Sequence, residues 1–417
     1  MKGIRVGLCV LIVFGVLAFG SVEVWAQSSI EIGAASLLAA WAVILYLDPA
    51  LKVQWNPLCG PIIGMLAIGI AQLVFRATAY PFLTRLELLR LTAYFIIFFL
   101  AAQSFRRRED LEALAWVLVI FCFGVSLLGI MQHFTSEGKI YWFRELANGG
   151  DLFGPYVNRN DFAGFVELTL PTGLSLMVFR GVRKELFPLL TVLTVVPISA
   201  MLLAGSRGGI ICLVFELGML AILAHTRRGS EGPRIAPLAM AVLGAIALIA
   251  WVGVGTAIER FSKLPSKDVS ISRRFSMSRG ALAIFRDHPV AGSGLGTLIA
   301  VYPRYETQYD GLVVDHVHND YAEALADTGL LGAVCGLSFL FLLFRDARRN
   351  FEASQGHFSR AIHAGAIVAL SGMLLHSFVD FNLHIPANTS LFFVQAYLAT
   401  SAPLASARPP ARRPAGV

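Results

Sequence analysis

The chain has 417 residues, 56% of them hydrophobic and 15% charged, with a formal net charge of +7 and a mean hydropathy of +0.68. A soluble globular domain carries nearer a quarter charged residues, so this composition excludes one and points to an integral membrane protein. The positive charge is spread over segments between apolar runs, with no basic patch on a soluble domain, which argues against a nucleic-acid partner.

Apolar runs of roughly 17–25 residues, long enough to cross about 30 Å of hydrocarbon, recur along the whole chain. Twelve are read, centred on residues 6–20, 30–47, 58–75, 91–105, 113–131, 162–179, 187–204, 208–224, 235–254, 325–344, 361–379 and 389–407. The expected fold is therefore an all-α polytopic membrane protein of about twelve transmembrane helices. Helices 1–5 occupy residues 1–132, an outer loop 133–161, helices 6–9 residues 162–255, a large outer loop 256–324, helices 10–12 residues 325–407 and a disordered cytoplasmic tail 408–417. The first run has a basic start in Lys2 and Arg5, and Val24-Trp25-Ala26 resembles a signal cleavage site. A retained first helix is the expectation, because an even number of crossings then places both termini on one side. Cys9, Cys59, Cys122, Cys212 and Cys335 all fall in or beside apolar runs without a CxxC pair, so neither a disulfide framework nor a zinc site is implied.

Short loops rich in Lys and Arg stay in the cytoplasm. Alternate connections carry Arg106-Arg107-Arg108, then Arg180, Arg183 and Lys184, then Arg227, Arg228 and Arg234, then Arg345, Arg348, Arg349 and Arg360. Lys2, Arg5 and the tail residues Arg408, Arg412 and Arg413 fall on the same side, whereas the turns 21–29 and 380–388 hold no Lys or Arg. The two long segments 133–161 and 256–324 are then outside the cytoplasm. The second is too long for a mere connector. Within it, Phe275, Leu282 and Phe285 against Arg279 and Arg286 have the spacing of a short helix lying at the interface.

That outer segment ends in Asp315-His316-Val317-His318-Asn319-Asp320-Tyr321, followed by Glu323, Asp327 and Gly329. A histidine of ordinary pKa near 6.5 accepts a proton at neutral pH. Asp315, Asp320 and Glu323 are placed to orient such a ring and raise its basicity. If a helix starts at Asp320, Glu323 and Asp327 share one of its faces. The competing reading is a helix entrance whose polar residues only cap and solvate it, which accounts for Asn or Asp but not for two histidines as well. A third reading makes His316 and His318 metal ligands, on the weak signal of an H-x-H pair.

Arginines form the second group. Arg207 lies in the tight outer turn Gly205-Ser206-Arg207-Gly208-Gly209, where glycines let backbone approach a ligand. It is either functional, as an arginine at the membrane edge usually is, or snorkels to headgroups. Arg273, Arg274 and Arg279 add planar forks that match phosphate oxygens. Arg159 and Asn160, in Gly154-Pro155-Tyr156-Val157-Asn158-Arg159-Asn160-Asp161, face the same outer side at the entry to the sixth run. The run Gly292-Ser293-Gly294-Leu295-Gly296 follows no strand, so it is read as a turn ending the interfacial helix and not as a dinucleotide loop.

Taken together, the motifs at 154–164, 205–209, 285–296, 316–332 (HVHNDYAEALADTGLLG) and 376–388 (HSFVDFNLHIPAN) resemble the O-antigen ligase and polymerase superfamily of bacterial envelope glycosyltransferases. The resemblance covers about the fifth run to the twelfth. It implies a GT-C-like membrane fold with a large periplasmic loop, in the bacterial inner membrane. It implies metal-independent, inverting transfer of a glycan from undecaprenyl diphosphate to a lipid A–core or polysaccharide hydroxyl, without a cofactor. His318 matches the family's catalytic histidine, Arg207 its arginine in the outer turn, and Arg279 or Arg274 the second phosphate-binding arginine. Arg159, Asn160, His316, Asn319 and Glu323 are expected around the substrate. Asp327 stands where glutamate is common, and Ala322 where leucine is usual. Ligase and polymerase differ only in acceptor, and neither is excluded. A lipid-linked oligosaccharide transporter is the rival from another class. Such proteins place charges at the bilayer midplane in two repeated halves, whereas these charges cluster at one face.

Overall fold

A computed structural model describes residues 1–146, 151–226, 233–263, 271–309, 311 and 313–404, without the side chains of 252–263 and 271. The expectations for Arg227, Arg228, Arg408, Arg412, Arg413 and the polar tail lie outside the described residues, as do 147–150 and 264–270 of the two outer loops.

Among the described residues the chain is all-helical. Its α-helices are α1 (Lys2–Leu17), α2 (Val24–Leu47), α3 (Cys59–Val74), α4 (Pro81–Ser104), α5 (Arg108–Thr135), α6 (Arg159–Val178), α7 (Phe187–Ala204), α8 (Arg207–His225), α9 (Ala236–Lys263), α10 (Ile271–Asp287), α11 (Leu298–Val301), α12 (Asp320–Ala353), α13 (His357–His376) and α14 (Pro386–Thr400). No strand is present among these residues, only two isolated bridges. Each of the twelve apolar runs coincides with or overlaps a helix. Seven helical stretches are long and apolar enough to cross a membrane: α2, α4, α5, Lys184–Ala204, α8, α12 and α13.

The helix α6 falls outside that set for an instructive reason. It carries Arg159, Asn160, Asp161, Glu167, Thr169, Thr172 and Ser175, yet nearly all of it is buried. It is the central helix, surrounded by α5, α7, α8, α13 and α14. Its polar side chains face protein and not lipid, the only place a membrane tolerates them. Thr169 and Ser175 return their hydroxyls to the helix's own carbonyls, at 2.7 and 2.9 Å. Cys9, Cys59, Cys122, Cys212 and Cys335 carry free thiols.

The bundle has two chemically distinct ends. At one, Arg5 pairs with Asp110, Arg106 reaches Gln103, Asn350 donates to Ser401 and Arg360 donates to Ser354. The basic loops therefore gather together. At the other end, the α1–α2 turn, the starts of α6, α8, α12 and α14 and the end of α13 converge. There Tyr156 donates to Asn388 Oδ1 (2.8 Å), and Asn388 donates to the Asp161 carbonyl (2.9 Å).

The segment before α12 forms a second, smaller core. Met277, Ala281 and Ile284 of α10 pack on Leu298, Val301, Tyr302, Val314, Val317, Ala322 and Ala326. The helix expected over this stretch is present, and Phe275 and Leu282 are exposed on it. The helix turns Met277, Ala281 and Ile284 inward and leaves the aromatic face outside. Its end at Asp287 leads into the glycine-rich turn expected there. Asp327 accepts from Gly296 N–H (2.7 Å), and the Asp327 carbonyl accepts from Gly294 N–H (3.1 Å) and Gln72 (2.9 Å). Directly after it, α12 breaks at Gly329, with φ 60° and ψ −155°. That conformation is reserved to glycine, and an added Cβ would sit 2.6 Å from the backbone of Val290 and Gly292.

Candidate active site

Two histidine–carboxylate clusters sit side by side where α12 begins. Val317 is anchored in the small core with its N–H on Glu323 Oε2 (3.2 Å). Asn319 caps α12, its Oδ1 accepting from Ala322 N–H (3.0 Å). Between these two anchors His318 adopts φ 50°, a left-handed conformation that costs a non-glycine residue about 1–3 kcal/mol. Asp320 N–H donates to the Ser377 carbonyl (2.9 Å), joining the start of α12 to the end of α13.

The first cluster centres on Asp380, buried in the turn after α13. His318 Nδ1 lies 3.0 Å from Asp380 Oδ1. On the other carboxylate oxygen, Asn160 donates at 2.7 Å and Arg274 at 3.4 Å, and Arg274 also donates to the Val379 carbonyl. Burial alone would raise the Asp380 carboxyl. The hydrogen bond and charge of His318, then Arg274 and His376, outweigh it and hold the group well below the usual carboxylate range. An ionised Asp380 fixes the tautomer of its neighbour: His318 carries hydrogen on Nδ1 and leaves a lone pair on Nε2. Nε2 makes no hydrogen bond with another described residue.

The second cluster is built on Glu323. Its Oε1 lies 2.7 Å from His316 Nδ1 and 3.2 Å from His384 Nε2, while His384 Nδ1 lies 2.8 Å from Asp320 Oδ1. Burial would lower His384, but Glu323 and then Asp320 raise it to about 10. The His316 ring stacks on Phe381 (4.9 Å between centroids) and His384 (4.4 Å), and His318 meets the edge of Phe381 at 4.8 Å. His316, Glu323 and His384 place ligand atoms within 4.8 Å of one another. His316 and His318 each turn to a different carboxylate, and the ligand atoms that converge beside His316 belong to Glu323 and His384.

The expected site residues are thus distributed unevenly. His318, Asn160 and Arg274 meet at Asp380, and His316 and Glu323 lie in the adjacent cluster. Asn319 spends its side chain on the helix cap. Arg159, at the start of α6, is buried and pairs with Asp151 at 3.4 Å. Arg207 opens α8 behind the cap Ser206 and is exposed. Its turn packs on the same corner: a Cβ at Gly208 would lie 2.6 Å from His376 Nε2. Arg279 is exposed on α10, about 140° around the helix from Arg274. Neither Arg207 nor Arg279 is bound to another described residue. Asp380, Phe381 and His384 were not read as site residues. Their signal was a turn holding Asp, His and two Asn between apolar helices. Beside the site, a cavity of about 500 Å³ runs into the bundle between Asp320, Tyr321, Leu325, Leu374, Leu383 and Phe392.

Residues 192–337 match the family model described as O-antigen ligase. The match supports the superfamily that the motifs resemble, and with it a membrane protein of polysaccharide biosynthesis. The matched stretch contains Arg207, Arg274, Arg279, His316, His318, Asn319 and Glu323. Asn160, Asp380 and His384 lie outside it, so their place in the site rests on geometry. No curated protein matches the chain.

Proposed function

We propose that the chain is a membrane glycosyltransferase of O-antigen ligase type. It moves a glycan from undecaprenyl diphosphate to an acceptor hydroxyl at the outer, periplasmic face of the bacterial inner membrane. The observation that carries this is the His318–Asp380 pair at the bundle end opposite the basic loops, with Nε2 of His318 free. The acceptor O–H gives its proton to Nε2 as its oxygen attacks the anomeric carbon. The bond from that carbon to the diphosphate oxygen breaks on the opposite face, so the configuration inverts. Asp380 then faces the resulting imidazolium and stabilises it, as the carboxylate of a hydrolase triad does.

The leaving diphosphate needs its charge held, and preorganised cations do this best where water is sparse. Arg207 and Arg279 are exposed and make no bond to another described residue, and they take that role. Arg274 is committed to Asp380 and positions it. The apolar cavity beside Asp320 and Tyr321 is of the right character for the first isoprene units of the donor. The chemistry as written needs no metal and no cofactor. The twelve-span, GT-C-like arrangement belongs to this same reading, and a polymerase acting on a second repeat unit fits the site equally.

The test is transfer by purified protein in lipid nanodiscs, with an undecaprenyl-diphosphate glycan and either a lipid A–core or a repeat-unit acceptor. His318→Ala is expected to reduce product about 10²–10⁴-fold at unchanged monodispersity. The acceptor that reacts names ligase or polymerase. Undiminished transfer by His318→Ala would overturn the mechanism, and lipid flipping without transfer would point to a transporter. Arg207→Lys is expected to weaken donor binding, because Lys loses the bidentate fork.

A further inference from the structure

Deeper in the bundle lies a second polar constellation that the transfer reaction does not use. Glu167 of α6 and His376 of α13 are fully buried and hydrogen-bonded, with Nδ1 at 2.9 and 3.2 Å from the two carboxylate oxygens. Cys212 of α8 stands with them, so that thiol, carboxylate and imidazole ligand atoms all lie within 4.8 Å of one another. One helical turn beyond Cys212 on the same face, Glu216 is 1% exposed, and neither of its oxygens has a hydrogen-bond partner among the described residues.

The two helices are shaped around these groups. They run antiparallel, and each sets a glycine against the other's large polar side chain. A Cβ at Gly208 of α8 would meet His376 Nε2 at 2.6 Å, and one at Gly372 of α13 would meet Glu216 Oε1 at 2.2 Å. Both helices also qualify as membrane spans. A carboxyl buried there without a partner is destabilising unless something satisfies it. The Glu167–His376 pair accounts for two of the four groups and leaves Cys212 and Glu216 unexplained.

We infer that Glu167, Cys212 and His376 bind a thiophilic divalent cation of the zinc class. Sulfur, nitrogen and oxygen donors from three helices are the set zinc takes. One thiolate, one carboxylate and one neutral imidazole around a divalent ion make a neutral complex, which a membrane interior tolerates better than a bare carboxylate. The fourth position is open to water, which gives Glu216 the partner that no described residue supplies. The ion would cross-link α6, α8 and α13 directly beneath the turn that carries Asp380. It takes no part in the transfer chemistry, and the inference does not rest on that reading.

The test is elemental analysis and absorption spectroscopy of detergent-purified full-length chain from cells grown with zinc or with cobalt. One equivalent of metal per chain is expected after a chelator wash, with a thiolate-to-cobalt charge-transfer band in the near ultraviolet. Cys212→Ser should abolish that band, and Cys212→Asp should keep the metal while losing the band. A monodisperse unmodified chain with neither metal nor band overturns the inference. So does a band that survives Cys212→Ser, which would assign it to another cysteine.

Discussion

His316 and His318 are two residues apart and touch the same phenylalanine ring, yet they belong to different machines. His318 draws its carboxylate from the far side of the sequence, the Asp380 turn, which also gathers Asn160 from α6 and Arg274 from α10. His316 draws its carboxylate from the first turn of α12, a few residues ahead of it, and Glu323 shares itself with His384, which Asp320 holds in turn. The first arrangement leaves Nε2 of His318 without a bond to another described residue, on a strained backbone. The second spends both nitrogens of His384 and sets His316 against the rings of Phe381 and His384, which makes a clamp for the start of α12. Equal residue types thus give a reactive group in one place and a brace in the other. What separates them is the carboxylate each one faces: Asp380 is held by Asn160 and Arg274, whereas Glu323 is shared with a second histidine.

The largest expected effect breaks the first cluster. Asp380→Asn keeps the volume but presents an amide that no longer selects the Nδ1–H tautomer of His318. Transfer should fall about 10²–10⁴-fold, in the range by which a positioned base contributes. His316→Ala in the same assay should retain activity within about tenfold. A His316 loss as deep as that of Asp380→Asn would erase the distinction and make both histidines reactive.

The second effect belongs to the clamp. Glu323→Gln replaces a carboxylate that meets His316, His384 and the Val317 N–H, and an amide cannot accept from all three with both its ends. A loss of about 1–3 kcal/mol in stability is expected, the usual cost of leaving buried polar groups unsatisfied. Thermal unfolding in one detergent measures it, and an unchanged midpoint would remove the bracing role. A smaller effect separates positioning from chemistry at Asp380. Arg274→Ala should lower turnover by about tenfold, the scale of one hydrogen bond to a charged group. His318→Ala combined with Arg274→Ala should then be no worse than His318→Ala alone. An additive double variant would mean that Arg274 acts on the substrate and not through Asp380.

Much of this was legible in the sequence, and the illegible part has a physical cause. Each of the twelve apolar runs coincides with or overlaps a helix because length and hydropathy are local properties, and the competing reading of a capped helix entrance accounts for Asn319. His318 stood out because imidazole has no use in lipid. Asp380 did not stand out, although it lies in a quoted motif, since its importance comes from three partners at positions 160, 274 and 318 that only folding brings together. On α10, the spacing of Phe275 and Leu282 marks a face that stays exposed and says nothing of the face packed into the small core. The inward face went to Met277, Ala281 and Ile284, because the small core is built from side chains that fit against Val317 and Ala326. Glu216 passed unnoticed within an apolar run, and its lack of a partner is visible only in three dimensions.

The last effect distinguishes the clusters by the direction in which pH undoes them. His384 is raised to about 10 by Glu323 and Asp320. Its contribution to stability is therefore fully present below about pH 6.5, where an unfolded histidine is also protonated. It is lost as the pH rises through about 10. Asp380 is shifted the other way, so its contribution is present above about pH 4 and is lost as the pH falls through its depressed folded value. The difference in thermal midpoint between the unmodified chain and His384→Gln should consequently be greatest near about pH 6 and shrink toward about pH 10. The matching difference for Asp380→Asn should shrink on acidification instead. A His384→Gln difference that grew with pH would mean that the ring enters the clamp uncharged, and the brace would then rest on stacking and not on charge.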